Sequence, residues 1–191
     1  MVNLDELQFW AKSTIENLPG ISVYHHTLNV GHVAYWIASN RLPLLERFKL
    51  DQTTVSVMAA LHDIGKISQG FQSKCPAWLE HNDLMKFSVA QCWQNCEKNH
   101  AKVSQFTVQN LLLDSDNMES ESAYYWAVAV GAHHGFLHRP SERNGLRSES
   151  GMSKDDWEVK RQKTASSLIR QLGPLPDTDI EPDAPRLWWL A

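Results

Sequence analysis

The 191-residue chain has no apolar run approaching the ~18 residues that a bilayer-spanning helix needs. Its start, Met1-Val2-Asn3-Leu4-Asp5-Glu6, lacks a basic stretch leading into an apolar one. Neither a membrane span nor a secretory signal is expected, and no membrane partner. Cysteine is scarce: Cys75, Cys92 and Cys96 are odd in number and lack the spacing of a zinc knuckle, which excludes a disulfide framework and points to a reduced, cytoplasmic setting. Positive charge is not in excess either, with 18 Lys plus Arg against 22 Asp plus Glu and a net charge of −4. That balance excludes a protein that coats nucleic acid with basic surface throughout, but not a local basic patch. No stretch alternates apolar and polar residues long enough to argue for a sheet, and no internal repeat is visible. What the chain does hold is nine histidines, eight tryptophans and 42% hydrophobic residues, enough for a full core in one domain.

Apolar spacing is helical almost throughout, so the expected fold class is all-α. Leu4, Leu7, Ala11, Ile15 and Leu18 predict a helix stopped by Pro19-Gly20. A second helix is expected over about Ser22–Asn40, with Val30, Val33 and Ile37 as its core stripe. A third opens at Asp51, an N-cap type, and carries Val55, Met58 and Ala59 up to Gly65. Residues 67–80 read as an irregular connection, 83–97 as a fourth helix, and the segment with Ala101, Ser104, Val108 and Leu111 as a fifth. Ala123 to Ala132 is apolar on every side and reads as a buried helix. A last helix is expected from Ser153 through Leu172, halted by Gly173-Pro174. The expected domain covers 1–173. Residues 174–191 read as an acidic, Pro-rich linker and the start of a further helix that the chain cuts short.

The chemistry concentrates in Leu61-His62-Asp63-Ile64-Gly65-Lys66. An imidazole and a carboxylate side by side at the end of a buried helix are expensive unless paired or bound to metal. A capping Asp beside a core His explains the dipeptide equally well when it is taken alone. His26, His100 and the pair His133-His134 each fall on or at the end of a predicted helix, at similar intervals along the chain. Together these five imidazoles and Asp63 match a cage for two divalent ions bridged by Asp63, the arrangement used for phosphate-ester displacement. Such imidazole-rich donors favour Mn, Fe, Co or Ni, with Zn and Mg as alternatives.

The order His26, His62-Asp63, His100, His133-His134 resembles the HD superfamily of metal-dependent phosphohydrolases. Within it, Tyr24-His25-His26, His62-Asp63-Ile64-Gly65-Lys66, Phe71-Gln72-Ser73-Lys74, His100-Ala101 with Ser104, and His133-His134-Gly135-Phe136 resemble the HD nuclease domain of the CRISPR-associated helicase-nuclease of type I systems. The resemblance implies an HD-domain helical bundle with a metal site in its centre. It implies that His26, His62 and Asp63 bind one ion and that Asp63, His100, His133 and His134 bind the other. Lys66 would stand at the scissile phosphate, so that Asp63 and Lys66 form the catalytic pair. Asn29 departs from an acidic residue of the family, and a further family Asp falls beyond Ala191; Asp177, Asp179 and Asp183 are candidates to replace it, without support from their spacing.

The implied activity is hydrolysis of single-stranded DNA in antiviral defence, endonucleolytic and also exonucleolytic, by two-metal activation of water. The implied partners are a helicase module and an RNA-guided surveillance complex. No Gly-rich phosphate loop occurs, so the helicase is not expected in these residues. Net charge is −4 over residues 1–134, +3 over 135–173 and −3 over 174–191, which singles out Arg139, Arg143 and Arg147 as contacts for a phosphate backbone, although an ordinary solvated loop has the same composition. Trp78 and Phe136 are candidates for base stacking, whereas Trp10, Trp36, Trp93 and Trp126 are expected in the core. His25, His32, His81 and His138 read as surface or supporting residues. Two alternatives stay open: a phosphohydrolase for nucleotides or cyclic nucleotides, and a shortened HD domain with a binding or regulatory role.

Overall fold

A computed structural model of the chain describes residues 9–85, 95–114, 118–142, 154–177 and 179, the side chains of 154–156 excepted. Among these residues the fold is all-α, with helices α1 (Val23–Ser39), α2 (Leu42–Phe48), α3 (Gln52–Leu61), α4 (Gln69–Gln72), α5 (Pro76–His81), α6 (His100–Leu113), α7 (Ser120–Gly131) and α8 (Lys154–Leu172). Two 3-10 turns, Ile64–Lys66 and Ala132–His134, follow α3 and α7. No described helix is long and apolar enough to cross a membrane.

Helix starts follow local chemistry. Ser22 accepts from the His25 amide, Asp51 from Thr54, and Asn99 from Ala101 and Lys102, each satisfying amide groups that the first turn leaves unpaired. Helix α1 packs along α3, α6 along α7, and α8 touches α1, α3 and α6. The α1–α3 approach is close because residue 31 is glycine: a Cβ there would lie 2.5 Å from Leu172 and 3.1 Å from Ala60. Ser56 uses that proximity to donate to the Gly31 carbonyl at 2.9 Å. The core joins Val57, Leu61, Ile64 and Ile67 to Val108, Leu112, Trp126, Trp157 and Leu168, with Trp126 and Trp157 wholly enclosed.

Several expectations change. Residues 9–20 are not helical; they form a tight antiparallel excursion with isolated bridges Trp10–Ser22 and Ser13–Pro19. Phe9, Trp10 and Ala11 are all buried, and a helix would spread three consecutive side chains around its circumference, whereas Ile15 on the expected stripe is fully exposed. In α1 the buried residues are Val23, Tyr24, Thr27, Gly31 and Ala38, while Val33 and Ile37 face out. Trp36 is exposed and Trp78 buried, the reverse of both expectations, because Trp36 sits on the outer face of α1 and Trp78 packs with Phe9. The segment 67–80 contains α4 and most of α5 instead of being irregular. The expected helix from Ser153 through Leu172 is seen as α8 over Lys154–Leu172, whereas most of 83–97, with Cys92 and Trp93, and most of the linker, with Asp183, lie outside the described residues.

Candidate metal centre

Every residue of the proposed cage stands at an element boundary or on one helix face turned inward. His26 lies one turn into α1, His62 caps α3, and Asp63 precedes the 3-10 turn. His100 opens α6, and His133 and His134 end the turn after α7. The two 3-10 turns tighten the chain so that neighbouring residues aim at a common point.

That point is the Asp63 carboxylate, which is 4% exposed. Its Oδ2 lies 2.9 Å from His26 Nε2, 3.1 Å from His62 Nε2 and 2.6 Å from Lys66 Nζ. Its Oδ1 lies 3.0 Å from His100 Nε2 and 3.6 Å from His133 Nε2. His134 Nε2 approaches His100 Nε2 at 3.0 Å. The donors fall into two groups, His26–His62–Asp63 and His100–His133–His134, each with its ligating atoms within 4.8 Å of one another. One carboxylate oxygen faces each group.

The protonation pattern tests whether these residues fit a cation. His133 Nδ1 is 2.8 Å from the Val130 carbonyl, which can only accept, so the ring hydrogen sits on Nδ1. Burial pushes the His133 pKa down to about 4, leaving the ring neutral and its Nε2 a bare acceptor near pH 7. That bare nitrogen nevertheless faces Asp63 Oδ1 and, at 3.4 Å, His100 Nε2. His62 is oriented in the same way, with Nδ1 2.7 Å from the Ala59 carbonyl. Burial also lowers His100, while burial raises Asp63 but hydrogen bonds with His100 and His26 outweigh it and hold the carboxyl well below the usual carboxylate range. Bare Nε2 lone pairs of His62 and His133 turned toward one buried carboxylate are donors suited to a divalent cation.

Residues around the cluster hold it in place. Gly65 lets the turn press against α6: a Cβ there would lie 2.1 Å from the His100 carbonyl oxygen, and the Gly65 amide donates to Ser104 Oγ at 2.9 Å. Gln72 is fully enclosed; its amide nitrogen donates to the Trp10 and Lys66 carbonyls at 2.9 and 2.8 Å, and its Oε1 accepts from the Trp10 amide. Phe71, itself buried, meets His100 edge-on at 5.2 Å. From α8, buried Arg161 donates to the Ile67 carbonyl at 2.9 Å. The roles of Gln72 and Arg161 have no signal in helical spacing. His138, expected as a surface or supporting residue, is 6% exposed, and its carbonyl accepts from Gln105.

The structure brings together His26, His62, Asp63, Lys66, His100, His133 and His134. Arg139 is exposed with its amide bonded to Glu142, Arg143 and Arg147 lie outside the described residues, and Phe136 is 70% exposed. Asp179 accepts from the Glu119 amide at the start of α7. An apolar pocket of about 210 Å³, lined in part by Val30, Met58, Trp126 and Ala129, opens beside His62 and His133.

The family model described as "Cas3, HD domain" matches residues 10–191. Among solved structures, the chain is similar to the Thermus thermophilus Cas3 HD domain in the presence of Ni2+, at 24% identity and a TM-score of 0.61, covering 98% of this chain and 73% of that one. It is similar to T. fusca Cas3-AMPPNP at 24% identity and a TM-score of 0.67, covering 91% of this chain and 20% of that one. A further likeness, to a CRISPR-associated protein, has 21% identity and a TM-score of 0.66, and covers 100% of this chain and 23% of that one. The chain thus spans less than a quarter of the length of the latter two proteins. No curated protein matches the chain.

Proposed function

The chain belongs to the Cas3 HD-domain family, and from that membership we propose that it is a divalent-metal-dependent nuclease that hydrolyses single-stranded DNA in CRISPR defence. The observation that carries this reading is the convergence on one buried carboxylate of His26, His62, His100 and His133, the last with its Nδ1 turned to the Val130 carbonyl and its Nε2 inward. In this reading His26, His62 and Asp63 hold one ion, and Asp63, His100, His133 and His134 the other. The Ni2+ present with the related Thermus thermophilus HD domain agrees with an imidazole-rich donor set. Divalent ions held by these residues would supply Lewis-acid charge to a phosphoryl oxygen and lower the pKa of bound water toward neutrality.

The chain's own residues do the rest. Asp63 divides its oxygens between the two groups, and the Ala59 and Val130 carbonyls fix which nitrogen of His62 and His133 stays free. Lys66, held 2.6 Å from Asp63, contributes positive charge at the scissile phosphate. Phe71 packs edge-on against His100. Arg139, Arg143 and Arg147 guide the strand toward the centre. A helicase module supplies that strand and an RNA-guided complex exposes it; T. fusca Cas3-AMPPNP, of which this chain matches 20%, has ample further length for such a module.

One observation favours a second reading, hydrolysis of nucleotides: the apolar pocket beside His62 and His133 is of a size to receive a single base. Offering the purified chain both an oligodeoxynucleotide and mononucleotides with Mn2+ separates the two. The nuclease reading predicts cleavage of the oligomer, and hydrolysis of mononucleotides alone replaces it with the second.

A further inference from the structure

The element Phe71-Gln72-Ser73-Lys74 contains one residue that the metal centre does not absorb. Lys74 is exposed, yet its ammonium is fixed: Nζ donates to the Lys98 carbonyl at 2.9 Å and lies 4.9 Å from the centre of the Phe71 ring. Lys66 Nζ lies 5.4 Å from the same ring, whose edge-on partner is His100 at 5.2 Å. One aromatic ring therefore joins the Lys74 ammonium to the metal centre, within about 10 Å of the His100 imidazole.

No ion pair neutralises this ammonium among the described residues. The nearby carboxylate, Glu97, is taken by Lys102 Nζ at 2.8 Å and by the Asn99 amide at 2.9 Å. Burial and the positive charges of Lys98 and Lys66 push the Lys74 pKa down, with Glu97 opposing least. Positive potential is in local excess here, and an anion is the group that relieves it. A mobile surface lysine would scatter its charge over many rotamers, whereas this one is held in place by a carbonyl and a ring face.

We propose that Lys74, with Lys98 beside it, is a phosphate-binding step next to the metal centre, holding the phosphodiester that neighbours the one presented to Asp63 and Lys66. The inference rests on the nuclease reading and adds to it a strand-positioning contact on the α4–α6 side, apart from the arginines after α7. Lys74 acts by holding substrate; it touches no reacting atom.

The test uses the full chain with Mn2+ and a single-stranded oligothymidylate, with Lys74→Gln, Lys74→Arg and Lys98→Gln beside the parent. Lys163→Gln, at an exposed α8 position, controls for loss of any one positive charge. Lys74→Gln is expected to raise KM about five- to tenfold with kcat within about twofold of the parent. The slope of log affinity against log salt should shrink by about 0.7, one phosphate contact on a single strand. Lys98→Gln should shift both in the same direction by less, and Lys74→Arg should restore most of the loss. Mn2+ affinity, read by calorimetry, should stay at the parental value in every variant. Equal KM and salt slope in Lys74→Gln, Lys163→Gln and parent overturn the inference while leaving the nuclease reading intact. A fall in Mn2+ affinity in Lys74→Gln also overturns it, because the residue then supports the metal centre instead of the strand. A parent that acts only on mononucleotides overturns both.

Discussion

At the scale of the residue, the centre sets a buried, anionic Asp63, paired with Lys66 at 2.6 Å, against the rings of His100 and His133, which burial disfavours as proton carriers. Asp63→Asn should therefore abolish binding at both donor groups, and His62→Ala should abolish it at one, which isothermal titration with Mn2+ or Ni2+ would register as zero sites and one. The metal-free protein should also lose stability on mild acidification. His133 titrates near 4 in the folded state against about 6.5 unfolded, and His100 shifts in the same direction, so between those values the unfolded chain binds more protons. Stability conferred by these neutral rings is complete above about pH 6.5 and falls as pH drops toward 4; Asp63, with its lowered value, loses its own contribution only at still lower pH. Denaturant midpoints in chelator at pH 7 and pH 5 should differ accordingly, and equal midpoints would contradict the assigned ring states. That His26, His62, Asp63, His100, His133 and His134 converge was legible in the sequence because each stands at a helix end or on one face at regular intervals. The ring orientations set by Ala59 and Val130 were not, since a backbone carbonyl carries no residue identity.

At the scale of the element, the turn Ile64–Lys66 is what converts helix ends into a site. It is pinned by Gly65 against α6, by Gln72 at the Lys66 carbonyl and by Arg161 at Ile67. Gly65→Ala forces a methyl against the His100 backbone and should cost about 1–3 kcal/mol in a denaturant titration. It should weaken metal binding as well, because the backbone displaced is that of a proposed ligand. Gln72→Leu is nearly the same size but leaves the Trp10 and Lys66 carbonyls without their donor, at about 1–3 kcal/mol for each buried group. Periodicity located α1, α3, α6, α7 and α8, because their packing faces obey it. It misread residues 9–20, where Phe9, Trp10 and Ala11 are held by main-chain hydrogen bonds to Val23 and Ile21 and by Gln72, none of which leaves a period. It also took Val33 and Ile37 for the core stripe of α1, since an apolar outer face and an apolar inner face look alike from spacing alone.

At the scale of the whole molecule, a centre built from α1, α3, α6 and α7 ties together helices far apart in sequence, so filling it should stabilise the fold. At a free metal concentration a hundredfold above Kd, linkage gives about 2.7 kcal/mol, or a rise of about 5–10 °C in Tm for a chain of this size. Chelator should reverse the rise, and Asp63→Asn should not show it. The all-α class was legible from periodicity, and the family, with the bundle it implies, from the motifs. The basic segment carrying Arg143 and Arg147 was read from net charge, which locates a charge along the chain but not on a surface; the structure adds Lys74 and Lys98, whose positions only the packing of α4 near α6 makes visible.

Residue, element and molecule all bear on one assignment, the His–Asp cluster as the active centre of a metal-dependent nuclease for single-stranded DNA. Incubating circular single-stranded DNA with the chain and Mn2+ or Ni2+, beside His62→Ala and Asp63→Ala, tests that assignment without ambiguity, because opening a circle requires internal cleavage. Linear and shorter products are expected with the parent protein, suppressed by chelator, and none with either variant. An uncut circle at saturating metal, or cleavage that survives in Asp63→Ala, would overturn the assignment.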